Sequence, residues 1–309
     1  MLLQTLLPPA ALLAMLPGGT SEPPSIVEGS LSEETIQAKK QVDQRLTVPV
    51  SIAGEGPFRF LVDTGAQATV ITDKVIGRLG PLPRGRATLV GMASRQSVET
   101  VQIDDLVLGS RTFNNLTSPL LESKHVGADG ILGLDSLQAQ RVLLDFKANT
   151  MTVADKDQLG GNKGFEIIVR ARRKLGQLII TNANIDGIRT SVIIDTGSQA
   201  SVGNMSLAKR LRQRRSVEST MTDVTGATLV GRIGQTNLIQ IGNVSMRGVA
   251  ITFADAPPFA SLGLDKRPTL ILGMRDLRLF ERVAIDFDSG RILFDLPSGI
   301  KTVRQRFGD

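Results

Sequence analysis

A stretch that occurs twice constrains the fold of this chain more than any other feature. Residues 60–66 read Phe-Leu-Val-Asp-Thr-Gly-Ala, and residues 192–198 read Val-Ile-Ile-Asp-Thr-Gly-Ser. Each copy is an apolar run, typical of a buried strand, that ends abruptly in an acid, a hydroxyl and a glycine. Because the two acids are 132 positions apart and similar tails follow them, the sequence predicts a duplicated lobe that brings two aspartates together.

The duplication continues well past these two sites. Asp-Gly-Ile-Leu-Gly at 129–133 is matched by Leu-Ile-Leu-Gly at 270–273, and Leu-Leu-Asp-Phe at 143–146 is matched by Ala-Ile-Asp-Phe at 284–287. The offset grows from 132 at the acids to 140 and then 141, so the second copy needs only a modest insertion, for which the Pro-rich segment 255–268 is the natural place. Order, spacing and residue type agree, which is more specific than a three-residue match. The Ile-Leu-Gly triplets are expected to be core supports beneath the site loops.

The composition is that of a folded protein with two cores. A chain of 309 residues with 41% apolar content is long enough for two lobes of ordinary size. The 36 basic and 30 acidic residues give a net charge of +6, part of it in the run 209–215. Since the chain has no Tyr or Trp to stack on bases, we interpret this run as a solvated helix face and expect no nucleic-acid partner.

The residues that are missing exclude several kinds of chemistry. Without cysteine, the chain cannot form a thiol nucleophile, a disulfide or a thiolate zinc site. His125 is the only histidine, so a multi-histidine metal site cannot be built and a serine triad would depend on one loop residue. No phosphate-binding loop of the GxxxxGK[ST] form occurs. Carboxylates remain, and we expect neither a metal nor another cofactor.

The amino terminus differs in composition from the rest of the chain. Residues 2–16 are almost wholly apolar and a polar, Pro-containing stretch follows, which resembles the end of a secretory signal, although no Lys or Arg precedes the run. A membrane anchor is disfavoured, because the run is shorter than the roughly 20 residues that span a bilayer. The alternative interpretation of this amino-terminal segment is a disordered tail. We therefore expect residues 1–24 to be a signal peptide and the protein to be periplasmic after export across the inner membrane.

The duplication and the composition define the predicted domains. They are a spacer at 25–44, a first lobe at 45–155, a polar, Gly-rich linker at 156–164 and a second lobe at 165–309. Both lobes open with a hairpin signal, and the Asp-Gly pair at 186–187 is typical of a two-residue hairpin turn. Short helices are expected at 72–79 and 206–213.

These motifs carry a resemblance to a known family. Asp-Thr-Gly followed by Ala or Ser on an apolar strand, with an apolar-apolar-Gly triplet downstream, resembles the aspartic peptidases, and Asp-Gly-Ile-Leu-Gly with Leu-Asp-Phe resembles the bacterial retropepsin-like branch. The resemblance covers about 46–294 in two copies. It implies an all-β fold with short helices, in which two closed β-barrel-like lobes of the acid-protease type are related by a pseudo-twofold axis and face each other across a cleft. Because one chain supplies both lobes, we expect a monomer.

The resemblance implies that Asp63 and Asp195 are catalytic. Two carboxylates that share one space hold one proton between them, since both cannot ionise cheaply. The ionised partner then takes a proton from a water while the protonated partner donates to an amide carbonyl, which hydrolyses a peptide bond without a covalent intermediate. The predicted function is thus that of an aspartic endopeptidase acting on peptides or proteins in an extended conformation.

The residues that follow each aspartate are predicted to support the site. By resemblance, Thr64 and Thr196 each hydrogen-bond the opposite loop across the lobe interface. Gly65 and Gly197 let backbone N–H groups approach the carboxylates. The next position differs between the two copies.

Ala66 in the first copy corresponds to Ser198 in the second. A serine hydroxyl that donates to the Asp195 carboxylate would stabilise its charged form. On this hypothesis Asp195 is the more acidic partner, Asp63 holds the shared proton, and Ser198→Ala raises the acidic limb of the pH-rate profile.

A further expectation concerns the cleft between the lobes. Flap-like hairpins over the cleft are predicted at 90–94 and 224–228, because an extended peptide must be held by main-chain hydrogen bonds and shielded from water.

A catalytically silent two-lobed protein that binds peptides is the alternative function. A glycosidase is disfavoured, because no Trp or Tyr is available to stack on sugars.

Overall fold

The structure is a computed structural model that describes residues 4–7, 26–28, 39–40, 46–138, 140–154, 158–211 and 216–297. The expected signal peptide and spacer therefore lie outside the described residues, apart from three short strands, and so does the end of the basic run at 212–215. No helix in the described ranges has the length and apolar character needed to cross a bilayer.

The described chain is mostly β, and its two large sheets curl into half-barrels. The strands are β1 (Gln4–Leu7), β2 (Ile26–Glu28), β3 (Lys39–Lys40), β4 (Leu46–Ile52), β5 (Glu55–Val62), β6 (Val70–Thr72), β7 (Arg84–Val90), β8 (Arg95–Ile103), β9 (Leu106–Leu108), β10 (Arg111–Phe113), β11 (Leu116–Leu121), β12 (Gly130–Leu132), β13 (Arg141–Asp145), β14 (Thr150–Ala154), β15 (Ile167–Arg170), β16 (Arg172–Lys174), β17 (Gln177–Ile185), β18 (Ile188–Ile194), β19 (Val202–Gly203), β20 (Val217–Thr222), β21 (Thr228–Gln235), β22 (Leu238–Ile241), β23 (Val244–Arg247), β24 (Ala250–Phe253), β25 (Thr269–Leu272), β26 (Arg282–Asp286) and β27 (Arg291–Asp295). The helices are α1 (Asp73–Leu79), α2 (Ser123–Val126), α3 (Leu134–Leu137), α4 (Met205–Leu211), α5 (Pro257–Ser261) and α6 (Met274–Leu277). The all-β fold with short helices is thus confirmed.

The first twelve strands form the sheet of the first lobe, and β16 to β25 form that of the second. Each sheet begins as predicted, with an antiparallel hairpin made of β4 and β5 or of β17 and β18. The turn of the second hairpin places Asp186 at φ 46° and Gly187 at φ 84°, the left-handed conformation that an Asp-Gly pair tolerates best. Helices α1 and α4 follow the two site loops close to their expected positions.

The apolar-apolar-Gly triplets hold the strands that end in the two aspartates. Strand β12 runs parallel to β5, and β25 runs parallel to β18, each in register along the apolar residues. The glycine that ends each triplet lies against the site loop of its own lobe. A Cβ at Gly133 would lie 2.4 Å from the Ala68 backbone, and one at Gly273 would lie 2.6 Å from the Ala200 carbonyl oxygen. These triplets are core supports, as the sequence predicted.

A third, five-stranded sheet joins the two lobes in the order β14-β13-β26-β27-β15. Strands β13 and β26, which end at the aspartates of the two Asp-Phe motifs, pair antiparallel across the lobe boundary. Within this sheet Arg141 forms an ion pair with Asp286 at 2.7 Å, and both side chains are at most 1% exposed. The duplicated Asp-Phe motif thus ties the lobes together.

Candidate active site

The two predicted acids lie at the ends of equivalent strands, immediately after β5 and β18. The Asp63 N–H donates to the carbonyl of Leu132, and the Asp195 N–H donates to that of Leu272, each at 3.0 Å. Asp63 is 1% exposed and Asp195 is fully buried. The Asp195 carboxylate lies close enough to Asp63 to affect its acidity, and the Gly197 backbone beside Asp195 lies directly against the Asp63 carboxylate. The structure therefore brings the two acids together between the lobes.

The pairing changes the acidity of the first acid. Burial raises the pKa of the Asp63 carboxyl well above its usual value, and the negative charge of Asp195 raises this pKa further. The hydrogen bond from the Gly65 N–H acts in the opposite direction and does not offset these two effects. The two carboxyls therefore titrate as a coupled pair that keeps a proton above the pH at which an ordinary aspartate loses its own.

Two threonines lock the site loops to each other across the lobe boundary. The Thr64 hydroxyl donates to the carbonyl of Ile194 at 2.9 Å and accepts from the Thr196 N–H at 3.2 Å. The Thr196 hydroxyl donates to the carbonyl of Val62 at 2.7 Å and accepts from the Thr64 N–H at 3.1 Å. Each hydroxyl bonds the residue that precedes the opposite aspartate, so this reciprocal network fixes the acids relative to each other.

Backbone donors occupy one oxygen of each carboxylate. Asp63 Oδ1 accepts from the N–H groups of Gly65 at 2.8 Å and Ala66 at 3.0 Å. Asp195 Oδ1 accepts from those of Gly197 at 2.9 Å and Ser198 at 3.2 Å. Both Oδ1 atoms are held by their own loops, which leaves Oδ2 as the second oxygen of each acid.

The side chain of Ser198 departs from the prediction. Its hydroxyl donates to the carbonyl of Ala200 at 2.8 Å, and its single proton is therefore directed away from Asp195. Backbone N–H groups already hold the near oxygen of that carboxylate, and the Ala200 carbonyl offers the hydroxyl a local acceptor. The proposed donation from Ser198 to Asp195 was wrong.

Gly197 has a role that extends to the other lobe. A Cβ at this position would lie 2.2 Å from Asp63 Oδ2 and 2.3 Å from Asp63 Cγ. Real Cβ atoms are essentially never found this close to another heavy atom. The glycine in the second Asp-Thr-Gly motif is therefore required to make room for the carboxylate of the first.

The sequence reasoning missed a support beneath the first site loop. The Thr69 hydroxyl donates to Asp135 Oδ1 at 2.6 Å and accepts from the Gly133 N–H at 3.2 Å. Burial raises the pKa of the Asp135 carboxyl, although the hydrogen bonds from Thr69 act against this shift. The network links the triplet strand to the loop that follows Asp63.

The second lobe repeats this support with a shift of one position. The Ser201 hydroxyl donates to Asp276 Oδ2 at 2.5 Å and accepts from the Gly273 N–H at 3.1 Å. Asp276 stands three residues after its glycine, whereas Asp135 stands two residues after its own. Only an alignment of the two copies that allows this one-residue shift would have matched Asp135 with Asp276.

A cavity of about 190 Å³ lies beside the second site loop. It is lined by residues of both lobes, namely Met92, Gly197, Ser198, Gln199, Ala200, Val202, Met221 and Thr222. Met92 belongs to the turn between β7 and β8, and Met221 and Thr222 end β20. The two hairpins expected to be flaps thus have their turns near the site.

Comparison with known proteins identifies the family. A family model described as aspartyl protease matches residues 48–136 and 181–275, so each lobe has its own match and each match contains one aspartate of the pair. The chain belongs to the aspartyl protease family. Its two lobes are both mostly β, and each carries one of the two matched regions.

Among solved structures, the chain is similar to a retropepsin-like aspartic protease from Rickettsia conorii, with 19% identity and a TM-score of 0.31. That similarity covers 42% of this chain and 89% of the other. A search of curated proteins found no match. This family membership supports a protease of the aspartic type, which is a class of hydrolase.

Proposed function

We propose that the protein is an aspartic endopeptidase whose catalytic pair is Asp63 and Asp195. The observation that supports this most strongly is the close approach of two buried carboxylates, one of which has a raised pKa. The reciprocal threonine bonds fix both acids in that contact. A pair of this kind holds an acid and a base side by side at the same pH.

The two acids would divide the proton transfers between them. Asp195, as the carboxylate, takes a proton from water while the water oxygen bonds to the amide carbon, and Asp63 gives its proton to the amide oxygen. In the second step Asp195 passes its proton to the amide nitrogen, the C–N bond breaks and Asp63 recovers a proton from the diol. No covalent bond to the enzyme forms, and the pair returns to its initial protonation state.

The shape around the pair is compatible with an extended polypeptide as the substrate. Hairpin turns from both lobes lie near the second site loop, and the cavity beside that loop is lined by Met92, Met221 and Val202. A side chain of moderate size and apolar character fits such a cavity. We propose a peptide or protein substrate, action as a monomer, and a periplasmic location for the exported enzyme.

Peptide cleavage separates this function from that of a silent peptide-binding protein. The parent, Asp63→Asn and Asp195→Asn proteins are incubated with a mixed peptide library, with and without an active-site-directed aspartic peptidase inhibitor, and the products are identified by mass spectrometry. Asp265→Asn, which changes an exposed aspartate of the second lobe, is the matched control. The proposal predicts cleavage by the parent and the control, which the inhibitor abolishes. Peptide binding without cleavage by the parent would favour the silent protein.

A further inference from the structure

A second cavity, of about 610 Å³, lies in the second lobe and contains no residue of the two site loops. This α4 cavity is enclosed by helix α4 and by one face of strands β20, β21 and β24. The face is common to the three strands, because Glu218 is paired with Arg232 and Arg232 is paired with Phe253, and directly opposed residues point to the same side. Its volume is in the range of roughly 300–1,000 Å³ that is typical of ligand pockets.

The lining of the α4 cavity is apolar and partly open to solvent. Its apolar side chains are those of Met205, Ala208, Val230 and Phe253. Val230 is 59% exposed although it lies inside strand β21, and Met205 is 40% exposed. The charged groups of Glu218 and Arg232 stand beside this apolar surface. An exposed apolar surface with a polar rim is typical of an interaction site, and this one suits an apolar side chain that another segment supplies.

Strand β20 is an edge of the second sheet. The sheets of the two lobes share one strand order, in which β20 has the place that β7 has in the first lobe. In the part of the chain that the structure describes, β20 pairs with β21 alone, whereas β7 pairs with β1 as well as with β8. An unpaired edge offers main-chain N–H and C=O groups to a further strand. Since β1 lies in the expected signal peptide, its pairing shows what kind of segment such an edge accepts.

The edge of β20 connects the cleft with the α4 cavity. Met221 and Thr222, at one end of the strand, line the cavity beside the second site loop, and Glu218 lines the α4 cavity. Three or four residues of extended chain separate these positions, which is about 10–13 Å at roughly 3.3 Å per residue. A polypeptide held beside the second site loop therefore reaches the α4 cavity if it continues along β20.

We propose that residues 218–222 and the α4 cavity form an exosite, a binding surface for a substrate segment outside the cleft. The segment adds to β20 as a strand through main-chain hydrogen bonds and places an apolar side chain in the α4 cavity. Main-chain pairing accepts any sequence except proline at the bonded positions, whereas the cavity selects the side chain. The proposal rests on the proposed function and deepens it, because it names the substrates as polypeptides with an apolar residue at a fixed distance from the cleavage point.

Peptides with a tail test the exosite. The probe is a peptide that the parent cleaves, extended at either end by six threonines, with one phenylalanine or one aspartate moved through the six positions. At one or two positions on one side, phenylalanine should raise kcat/KM at least tenfold over aspartate, chiefly by lowering KM. N-methylation of the tail removes its main-chain donors and should remove the gain. The absence of a gain at every position would overturn the proposal.

A charge in the α4 cavity should remove the same gain. Val230→Asp puts a carboxylate into the apolar lining and leaves the main chain of β20 unchanged. Ile233→Asp is the matched control, because Ile233 is on the same strand, is 38% exposed and faces the other side of the sheet. Both variants should cleave the peptide without a tail at the parental rate, and thermal unfolding shows that they are folded. A gain that persists in Val230→Asp would overturn the proposal.

Hydrogen exchange tests the strand addition without activity. The probe is an eight-residue peptide of alternating valine and threonine with a central phenylalanine or a central aspartate. The phenylalanine peptide should slow exchange of the amides at 218–222 at least threefold more than the aspartate peptide. Amides of β23, the opposite edge of the same sheet, should exchange equally with both peptides. Equal exchange at 218–222 would overturn the proposal. If the parent cleaves no peptide, the proposed function fails, and this measurement still decides whether β20 and the α4 cavity bind a strand.

A second copy of the chain is the other occupant that an open edge could take. Sedimentation velocity of the parent and of Val230→Asp separates the two cases, and the proposal predicts the same monomeric species for both. A parental dimer that Val230→Asp dissociates would overturn the proposal, because this surface would then be an interface between copies.

Discussion

Replacing Thr196 with valine should weaken the junction between the lobes by a predictable amount. Valine keeps the volume of threonine and removes the hydroxyl, which donates to the carbonyl of Val62 and accepts from the N–H of Thr64. Both backbone groups then stay buried without those partners, and each such loss costs about 1–3 kcal/mol. We therefore expect the free energy of unfolding to fall by about 2–6 kcal/mol, a large part of the 5–15 kcal/mol of a typical domain.

Urea unfolding followed by circular dichroism measures this loss as a lower midpoint at an unchanged slope. Thr190→Val is the matched control, because the Thr190 hydroxyl is also buried but donates only to Ile188 on its own strand. Thr196→Ser keeps the hydroxyl and should stay near the parent. The reasoning would be refuted if Thr196→Val were no more destabilising than Thr190→Val.

Three further predictions follow from single contacts. Gly197→Ala places a Cβ 2.2 Å from Asp63 Oδ2, so it should displace the Asp63 carboxylate and lower kcat/KM by about 10²-fold or more. The circular dichroism spectrum should stay that of the parent, and parental kcat/KM would contradict this prediction. The raised pKa of Asp63 means that the folded state keeps a proton that the unfolded state has lost. The free energy of unfolding of the parent should therefore fall as the pH rises above about 4. Asp63→Asn should reduce that fall in thermal melts. Asp286→Asn leaves the buried Arg141 without its counter-ion and should cost about 3–5 kcal/mol in urea unfolding, whereas Arg141→Met combined with Asp286→Leu should cost less.

The features that the sequence predicted well are those with a repeat or a local signature. The strand that precedes each Asp-Thr-Gly, the Asp-Gly hairpin turn and the triplet strands follow from apolar patterning and from steric need. The approach of Asp63 to Asp195 followed from the duplication, because equivalent positions of two similar lobes meet at their pseudo-twofold axis.

The features that it did not predict depend on how one side chain is oriented or on which elements pack together. The Ser198 hydroxyl had two acceptors within reach, and only the folded loop shows that it bonds Ala200. Asp135 and Asp276 were hidden by a shift of one residue between the copies. Asp223 lies in a turn where an aspartate ordinarily bonds its own backbone, and its contact with the opposite turn arises only when the lobes pack.

The central claim is that Asp63 and Asp195 act as one catalytic unit, and the kinetics of three variants test it most directly. The measurement is kcat/KM for Asp63→Asn, Asp195→Asn and the double variant on one peptide that the parent cleaves, with thermal unfolding to show that each variant is folded. The account predicts that each single change lowers kcat/KM on the order of 10³-fold, and that the double change costs little more than either one. A single variant that is folded and cleaves at the parental rate would contradict the account.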